Sequence, residues 1–193
     1  EAGESIPSNV QRVVMPLDTQ VEFTPIRISE QEVSLNWSEV LFAQAYSYTL
    51  KRSVTDILVL DTPEKITGNS LTLTDLEPAT RYELRFYAYN IDNEATPLGK
   101  SFEFITKPVA PEVNTPEDIQ IVGFTASWNR APGDQVVGYV LEIGRNRSFT
   151  DGLLSSDTIE GPNRIFRQVT NIPSTNETWY RLRTRSRIDV NNP

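Results

Sequence analysis

The clearest structural signal in the chain is the segment Leu76-Glu77-Pro78-Ala79-Thr80-Arg81-Tyr82-Glu83-Leu84, in which a proline-containing turn leads into an alternating strand. Proline restricts its own backbone and has no N–H donor, so it favours a turn at this point. The apolar residues that follow occupy every second position: Tyr82, Leu84, Phe86 and Ala88. Side chains two residues apart lie on the same face of a strand. The segment therefore predicts a strand over 81–90 with one buried face.

The same alternation recurs along the chain, and no window shows a long helical period. In the first half the further alternating sets are Val33/Leu35/Trp37, Tyr46/Tyr48/Leu50, Leu71/Leu73 and Phe102/Phe104. In the second half they are Phe124/Ala126/Trp128, Tyr139/Leu141/Ile143 and Tyr180/Leu182/Thr184. Short alternating segments separated by Gly, Pro, Asn, Asp and Thr at intervals of about 8 to 12 residues are typical of an all-β sandwich or barrel.

The landmarks of the first half return in the same order in the second. Three pairs of equivalent residues lie at nearly constant spacing: Trp37 and Trp128 (91 positions), Tyr46 and Tyr139 (93), Tyr82 and Tyr180 (98). This repetition predicts two copies of one fold. Between them, Lys107-Pro108-Val109-Ala110-Pro111 forms a short, stiff, extended linker. We therefore expect an N-terminal extension over 1–16, a first domain over 17–107 and a second domain over 108–193.

The run of leucine, proline, threonine and tyrosine in 76–84, together with Trp37, resembles the corresponding motif of fibronectin type III domains. The resemblance covers about residues 19–106. It implies a seven-stranded, immunoglobulin-like Greek key sandwich without a disulfide. It also implies that Trp37 packs between the sheets and that the Tyr82 hydroxyl bonds to nearby backbone as a tyrosine corner.

The second copy departs from this pattern. Its turn, over 172–180, keeps Tyr180 but is longer and places Pro173 directly after Ile172. Only six residues follow Arg187, too few for the turn and seventh strand of the first copy. We therefore expect two tandem sandwiches of which the second lacks its last strand. Its open sheet edge would invite strand addition from a neighbouring chain or from a missing C-terminal segment.

Composition argues against several classes of function. The 193-residue chain has 38% hydrophobic residues, which is typical of a soluble globular protein. It contains no cysteine and no histidine, so disulfides, catalytic triads and the usual metal sites are missing, and we expect no catalytic residue, metal or cofactor. The formal net charge of -8 disfavours nucleic acid as a partner. No apolar run reaches the roughly 20 residues that span a bilayer.

Two groups of outward side chains are candidate ligand residues. Tyr87 and Tyr89 lie opposite the buried face of the 81–90 strand, and Trp179, Arg181 and Arg183 alternate with Tyr180 and Leu182. Aromatic rings can stack on sugars, and arginine forks bind carboxylates or sulfates. The alternative is that the tyrosines pack against neighbouring strands and that Glu142 neutralises the arginines.

The leading functional expectation is a non-catalytic, extracytoplasmic binding or spacer module. The cysteine-free tandem and the acidic start Glu1-Ala2-Gly3-Glu4 resemble exported lipoproteins of Bacteroidetes. That resemblance implies a bacterial cell-surface or periplasmic location, a lipid anchor upstream, and an accessory role in polysaccharide binding or degradation. The alternative is an adhesion or receptor-type domain pair with a protein partner. An enzyme is the third reading, in which acidic pairs such as Asp56 with Asp61 would act on glycosidic bonds.

Overall fold

The computed structural model describes residues 8–61, 65–99, 101–150, 152–173 and 177–187. These residues form β-strands, turns and irregular segments, with no helix among them. The expected all-β fold is therefore confirmed. The expectations about Glu1-Ala2-Gly3-Glu4 and about the residues after Arg187 lie outside the described residues.

The first domain is a two-sheet sandwich of antiparallel strands. Its strands are β1 (Phe23–Ile28), β2 (Val33–Trp37), β3 (Ala45–Arg52), β4 (Ile57–Asp61), β5 (Ser70–Leu73), β6 (Arg81–Tyr89), β7 (Ala95–Pro97) and β8 (Phe102–Ile105). One sheet has the order β1-β2-β5, and the other has the order β4-β3-β6-β7, with β8 also paired to β6. Because β7 and β8 pair with successive parts of β6, they together occupy the place of one final strand.

The second domain repeats this plan with six strands in the described residues. They are β9 (Glu117–Gln120), β10 (Gly123–Ser127), β11 (Val136–Gly144), β12 (Leu153–Glu160), β13 (Phe166–Val169) and β14 (Trp179–Ser186). The sheets have the orders β13-β10-β9 and β12-β11-β14. In the described residues β14, the equivalent of β6, pairs with β11 and with no second strand. The expectation that the second sandwich lacks its last strand stays a prediction, because the residues after Arg187 are not described.

Each domain has its own core, formed by the predicted faces of the strands. In the first, the Trp37 ring lies 4.7 Å from Phe86 and 5.3 Å from Tyr46, measured between ring centroids. In the second, the Trp128 ring lies 5.4 Å from Tyr139. Leu17 packs into the core of the first domain, and the last strand of that domain, β8, ends at Ile105. The domain boundaries at residues 17, 107 and 108 stay a prediction.

The turn before β6 forms the corner that the resemblance implied. The buried Tyr82 hydroxyl accepts a hydrogen bond from the Glu77 backbone N–H at 2.8 Å. Burial raises the pKa of Tyr82, so the phenol stays protonated at neutral pH. In the second domain the Tyr180 hydroxyl donates instead to the backbone oxygen of Asn114 at 2.5 Å. The equivalent tyrosine therefore attaches the interdomain segment rather than the turn before its own strand.

Candidate functional site

The arginine face of β14 is organised by one buried carboxylate. Arg181 and Arg183 project from the outer face of the strand because they alternate with the buried Leu182. Glu142 lies directly opposite Arg181 on β11. The Arg181 Nε donates to Glu142 at 2.6 Å, and an Nη of Arg183 donates to the other carboxylate oxygen at 2.7 Å. The alternative pairing with Glu142 that the sequence allowed is therefore present.

This pairing holds Glu142 in its charged form. The hydrogen bond from Arg181 lowers the pKa of Glu142, burial opposes that effect, and the charge of Arg183 lowers the pKa further. The Glu142 side chain is only 8% exposed, whereas those of Arg181 and Arg183 are 49% and 63% exposed. Each guanidinium therefore retains solvent-facing surface beyond its contact with Glu142.

Aromatic and charged neighbours extend this face along the strand. The Arg181 guanidinium lies over the Phe149 ring, 4.5 Å from its centroid, in cation–π geometry. Trp179 is 38% exposed at the start of β14. Arg185 forms an ion pair with Glu160 on β12. The three arginines from 181 to 185 thus face two carboxylates, which leaves an excess of positive charge.

Tyr87 and Tyr89 lie on the outer face of β6 and are each half-buried. The Tyr89 hydroxyl is 3.1 Å from the Ser47 hydroxyl on β3, and the Lys65 ammonium lies 3.8 Å from the centroid of the Tyr89 ring. One face of that ring is therefore covered by a cation. Tyr87 pairs across the ladder with Pro97 and lines a surface depression of about 470 Å³.

The structure places the two candidate groups in different sheets. Tyr87 and Tyr89 belong to the sheet of β6 in the first domain, and Trp179, Arg181 and Arg183 belong to that of β14 in the second. In the part of the chain that the structure describes, no three acidic side chains are grouped so that they could hold a metal ion. Nor do the described residues include a helix that is long and apolar enough to cross a membrane.

A groove at the open side of the second domain was not predicted from the sequence. It has a volume of about 210 Å³ and lies between β9 and β14. Its lining residues are Pro116, Ile119, Gln120, Ile121, Gly123, Phe124, Ile172, Pro173, Thr178 and Tyr180. The groove depends on how the two sheets lie relative to each other, which strand alternation does not indicate.

The contact between the domains, here called the joint, was also not predicted. The backbone N–H of Gln135 donates to the carbonyl of Ala79 at 2.8 Å, and Ala79 packs into the core of the second domain. Gly133 lies against the Pro78 and Ala79 carbonyls so closely that a Cβ there would come within 2.3 Å of the Pro78 oxygen. The Ala79 N–H donates to the Lys107 carbonyl at 3.1 Å. The turn before β6 therefore supports its own domain and contacts the next one.

Comparisons with known proteins identify the fold. No family model matches the chain. A two-domain fibronectin type III segment of chicken tenascin aligns with 86% of this chain and 98% of its own, with 15% identity and a TM-score of 0.50. The chicken CNTN1 FN1–FN3 domains align over 83% of this chain and 58% of theirs, with 20% identity and a TM-score of 0.43. The first similarity shows that the chain has the fold of tandem fibronectin type III domains.

Proposed function

We propose that the chain is a non-catalytic, extracytoplasmic binding or spacer module whose joint holds its two domains in one fixed relation. The observation that supports this most directly is the backbone hydrogen bond from Gln135 to Ala79, made beside a buried apolar contact. Backbone groups are already ordered by the turns that contain them, so this contact costs little additional conformational entropy. A fixed relation between domains suits a module that spaces or orients binding surfaces.

The segment leaving the first domain strengthens the joint. The Thr106 hydroxyl accepts a hydrogen bond from the Thr80 N–H at 3.0 Å and donates to the Glu77 carbonyl at 2.6 Å. The Lys107 N–H donates to the Ser29 carbonyl at 2.9 Å. These bonds attach the chain to the first domain immediately before the two prolines. Bending is thereby restricted to a short segment that proline already stiffens.

The distance between the domains tests this proposal. Because the chain has no cysteine, cysteines introduced at the exposed Ser70 and Ser156 can each carry one spin label. We expect one narrow distance distribution from electron–electron double resonance. The same labels in a Gly133→Ala variant should give a broader distribution, because a Cβ at that position collides with the joint. A broad distribution in the parent protein would contradict a fixed spacer.

A second candidate is an accessory role in polysaccharide binding at the surface of a bacterium, as an exported lipoprotein. The depression beside Tyr87, which Arg85 and Ser101 also line, supports it, because an aromatic ring beside polar groups suits a sugar. Substituting Tyr87 and Tyr89 together by alanine should abolish retention in a glycan affinity gel. The matched control replaces both by phenylalanine and should keep retention, since the rings remain. Equal retention by all three proteins, or none by the parent, would reject this role.

A glycan ligand and a protein partner can be distinguished directly by experiment. A glycan array with the parent protein should show signal if the second candidate holds, whereas an adhesion or receptor-type domain pair should instead retain a protein partner in a pull-down. Substitution of Tyr87 and Tyr89 would then leave the pull-down unchanged.

A further inference from the structure

The outer face of the second domain carries a group of arginines in a chain that is acidic as a whole. Arg181 and Arg183 lie at its centre on β14, and the loop between β11 and β12 adds the exposed Arg145 and Arg147. These four arginines are here called the arginine patch. The formal net charge of the chain is -8. A concentration of positive charge on such a background favours an anionic ligand at this surface.

The two central guanidinium groups are held in place by the protein. The buried Glu142 carboxylate accepts a hydrogen bond from Arg181 at one oxygen and from Arg183 at the other. The Phe149 ring carries the Arg181 guanidinium and lies against Gly144, where a Cβ would come within 2.8 Å of the ring. A ligand therefore meets arginine side chains that are already ordered, so binding costs less conformational entropy.

The patch faces the middle of its sheet. Both central guanidinium groups point toward β11, because Glu142 belongs to that strand. On the other side of β11, the exposed Ser156 and Thr158 of β12 lie opposite Glu142 and Val140 and add hydroxyl groups to the surface. The strands on both sides of β11 are described, so this surface does not depend on the residues after Arg187.

These side chains are suited to a sugar that carries an anion. Arg181 and Arg183 keep solvent-facing N–H donors for a carboxylate or sulfate group beyond their bonds to Glu142. Trp179 lies on the same face of β14, and its exposed ring can pack against the apolar face of a sugar. Trp179 and Arg183 are four residues apart, about 13 Å along the strand, which is longer than one sugar ring.

We propose that the arginine patch binds an anionic polysaccharide, whose carboxylate or sulfate groups pair with Arg181 and Arg183 while a sugar ring packs on Trp179. An acidic polypeptide would offer similar anions without the apolar face of a sugar ring, so Trp179 favours the polysaccharide. The patch lies in a different domain from the depression beside Tyr87 and does not involve the joint. The patch, the depression and the joint can therefore be tested independently.

Isothermal titration calorimetry of the full chain tests the class of ligand. A hexamer of galacturonic acid supplies carboxylates on sugar rings, its methyl ester has the rings without the charges, and hexaglutamate has the charges without the rings. We expect the galacturonate hexamer to bind saturably at one site per chain and more weakly at higher salt, and the ester not to bind. A sulfated oligosaccharide of the same length tests the other anion, and binding of either anionic oligosaccharide supports the proposal. Equal binding of hexaglutamate, binding of the ester, or no saturable binding of either anionic oligosaccharide would overturn it.

Two arginine variants with the same change in net charge test the location. Arg183→Gln removes one guanidinium from the patch and should weaken binding about tenfold, the effect of losing one charge-assisted contact. Arg167→Gln is the matched control, because Arg167 lies on β13 in the other sheet and its side chain is also largely exposed. It should change the affinity by less than about twofold, since salt screens a distant charge. Equal weakening in both variants would show that only the overall charge matters.

Trp179→Ala tests the sugar contact separately from the charges. It should weaken binding of the galacturonate hexamer and leave the salt dependence unchanged, because no charge is removed. The double substitution of Tyr87 and Tyr89 by alanine should bind the hexamer as the parent does, and the affinity gel for those tyrosines then carries a neutral glycan. Circular dichroism checks that each variant folds, and the two arginine variants still decide the matter if Trp179→Ala does not. Unchanged binding by a folded Trp179→Ala, or loss of binding in the tyrosine variant, would contradict the assignment to this patch.

Discussion

Replacing Gly133 by alanine should lower the free energy of unfolding by more than backbone strain at this position alone would, because the added Cβ also disrupts the joint. Gly133 has φ +105°, a conformation that L side chains rarely adopt. A Cβ at this position would lie 2.3 Å from the Pro78 carbonyl oxygen, 2.5 Å from that of Ala79 and 2.7 Å from the Ala79 Cβ. Two of these neighbours are backbone atoms, so they cannot rotate away as a flexible side chain would.

The loss of stability in Gly133→Ala can be divided into backbone strain and steric overlap by comparison with a matched variant. Gly68 has φ +92° and nothing within 4 Å of a Cβ, so Gly68→Ala bears the backbone strain alone, about 1 to 2 kcal/mol. Gly133→Ala adds overpacking, which costs about 1 to 3 kcal/mol. If the two domains move apart to relieve this overpacking, the hydrogen bond from Gln135 to Ala79 is lost, which costs about 0.5 to 1.5 kcal/mol of stability. We expect Gly133→Ala to exceed Gly68→Ala by roughly 1 to 3 kcal/mol.

Urea unfolding followed by tryptophan fluorescence and circular dichroism measures the difference. Each domain has a buried tryptophan, Trp37 or Trp128, so loss of coupling should also move the two unfolding transitions apart. Limited proteolysis of the segment 107–116 should be faster in Gly133→Ala than in Gly68→Ala. Equal free energies of unfolding and equal cleavage rates in both variants would refute the inference that Gly133 is required by the joint.

Three further predictions concern the core of the first domain, its tyrosine corner and the ion pair of Glu142. Trp37→Ala should destabilise the first domain by about 3 to 5 kcal/mol in urea unfolding, because Trp37 is only 2% exposed. An unchanged unfolding midpoint would show that the assignment of Trp37 to the buried face of its strand is wrong. Tyr82→Phe should cost about 1 to 2 kcal/mol by the same assay, since it leaves the Glu77 N–H without its acceptor; no loss would mean the corner is dispensable. The folded-state pKa of Glu142 is lowered, chiefly by Arg181, so its stabilisation should be complete above the usual glutamate value of 4.5 and lost as pH falls through the lowered value. Unfolding of Glu142→Gln between pH 3 and 7 should lack this part of the pH dependence, and profiles parallel to those of the parent would contradict the assignment.

Much of the fold was predictable because burial follows strand alternation. Val33, Leu35 and Trp37 are buried as their spacing predicts, and the two tryptophans occupy equivalent places in the two cores. The edge strand β4 was not predicted. Its run Ile57-Leu58-Val59-Leu60 is continuous and apolar, yet all four residues are exposed. An apolar run does not by itself distinguish a buried central strand from an exposed edge.

The candidate site was predictable in its residue types but not in its contacts. The sequence placed Arg181 and Arg183 on one face and named Glu142 as their alternative partner, and the structure has both hydrogen bonds. It did not indicate that Lys65 covers the Tyr89 ring. Lys65 lies between β4 and β5, so its position depends on the path of a connection rather than on strand periodicity.

By itself the sequence determined the all-β class and the phase of the main strands, because both follow from the two-residue period of local side-chain direction. It also determined the repetition of one sandwich, because equivalent aromatic residues recur in the same order at nearly constant spacing. Only the tertiary structure decided that Ala79 packs into the neighbouring domain and that Gly133 must be a glycine to permit it. It also decided that Tyr180 lines an open groove where the equivalent Tyr82 is covered by Phe104. These features depend on residues that are distant in sequence, and their distances are set only when whole sheets and domains pack together.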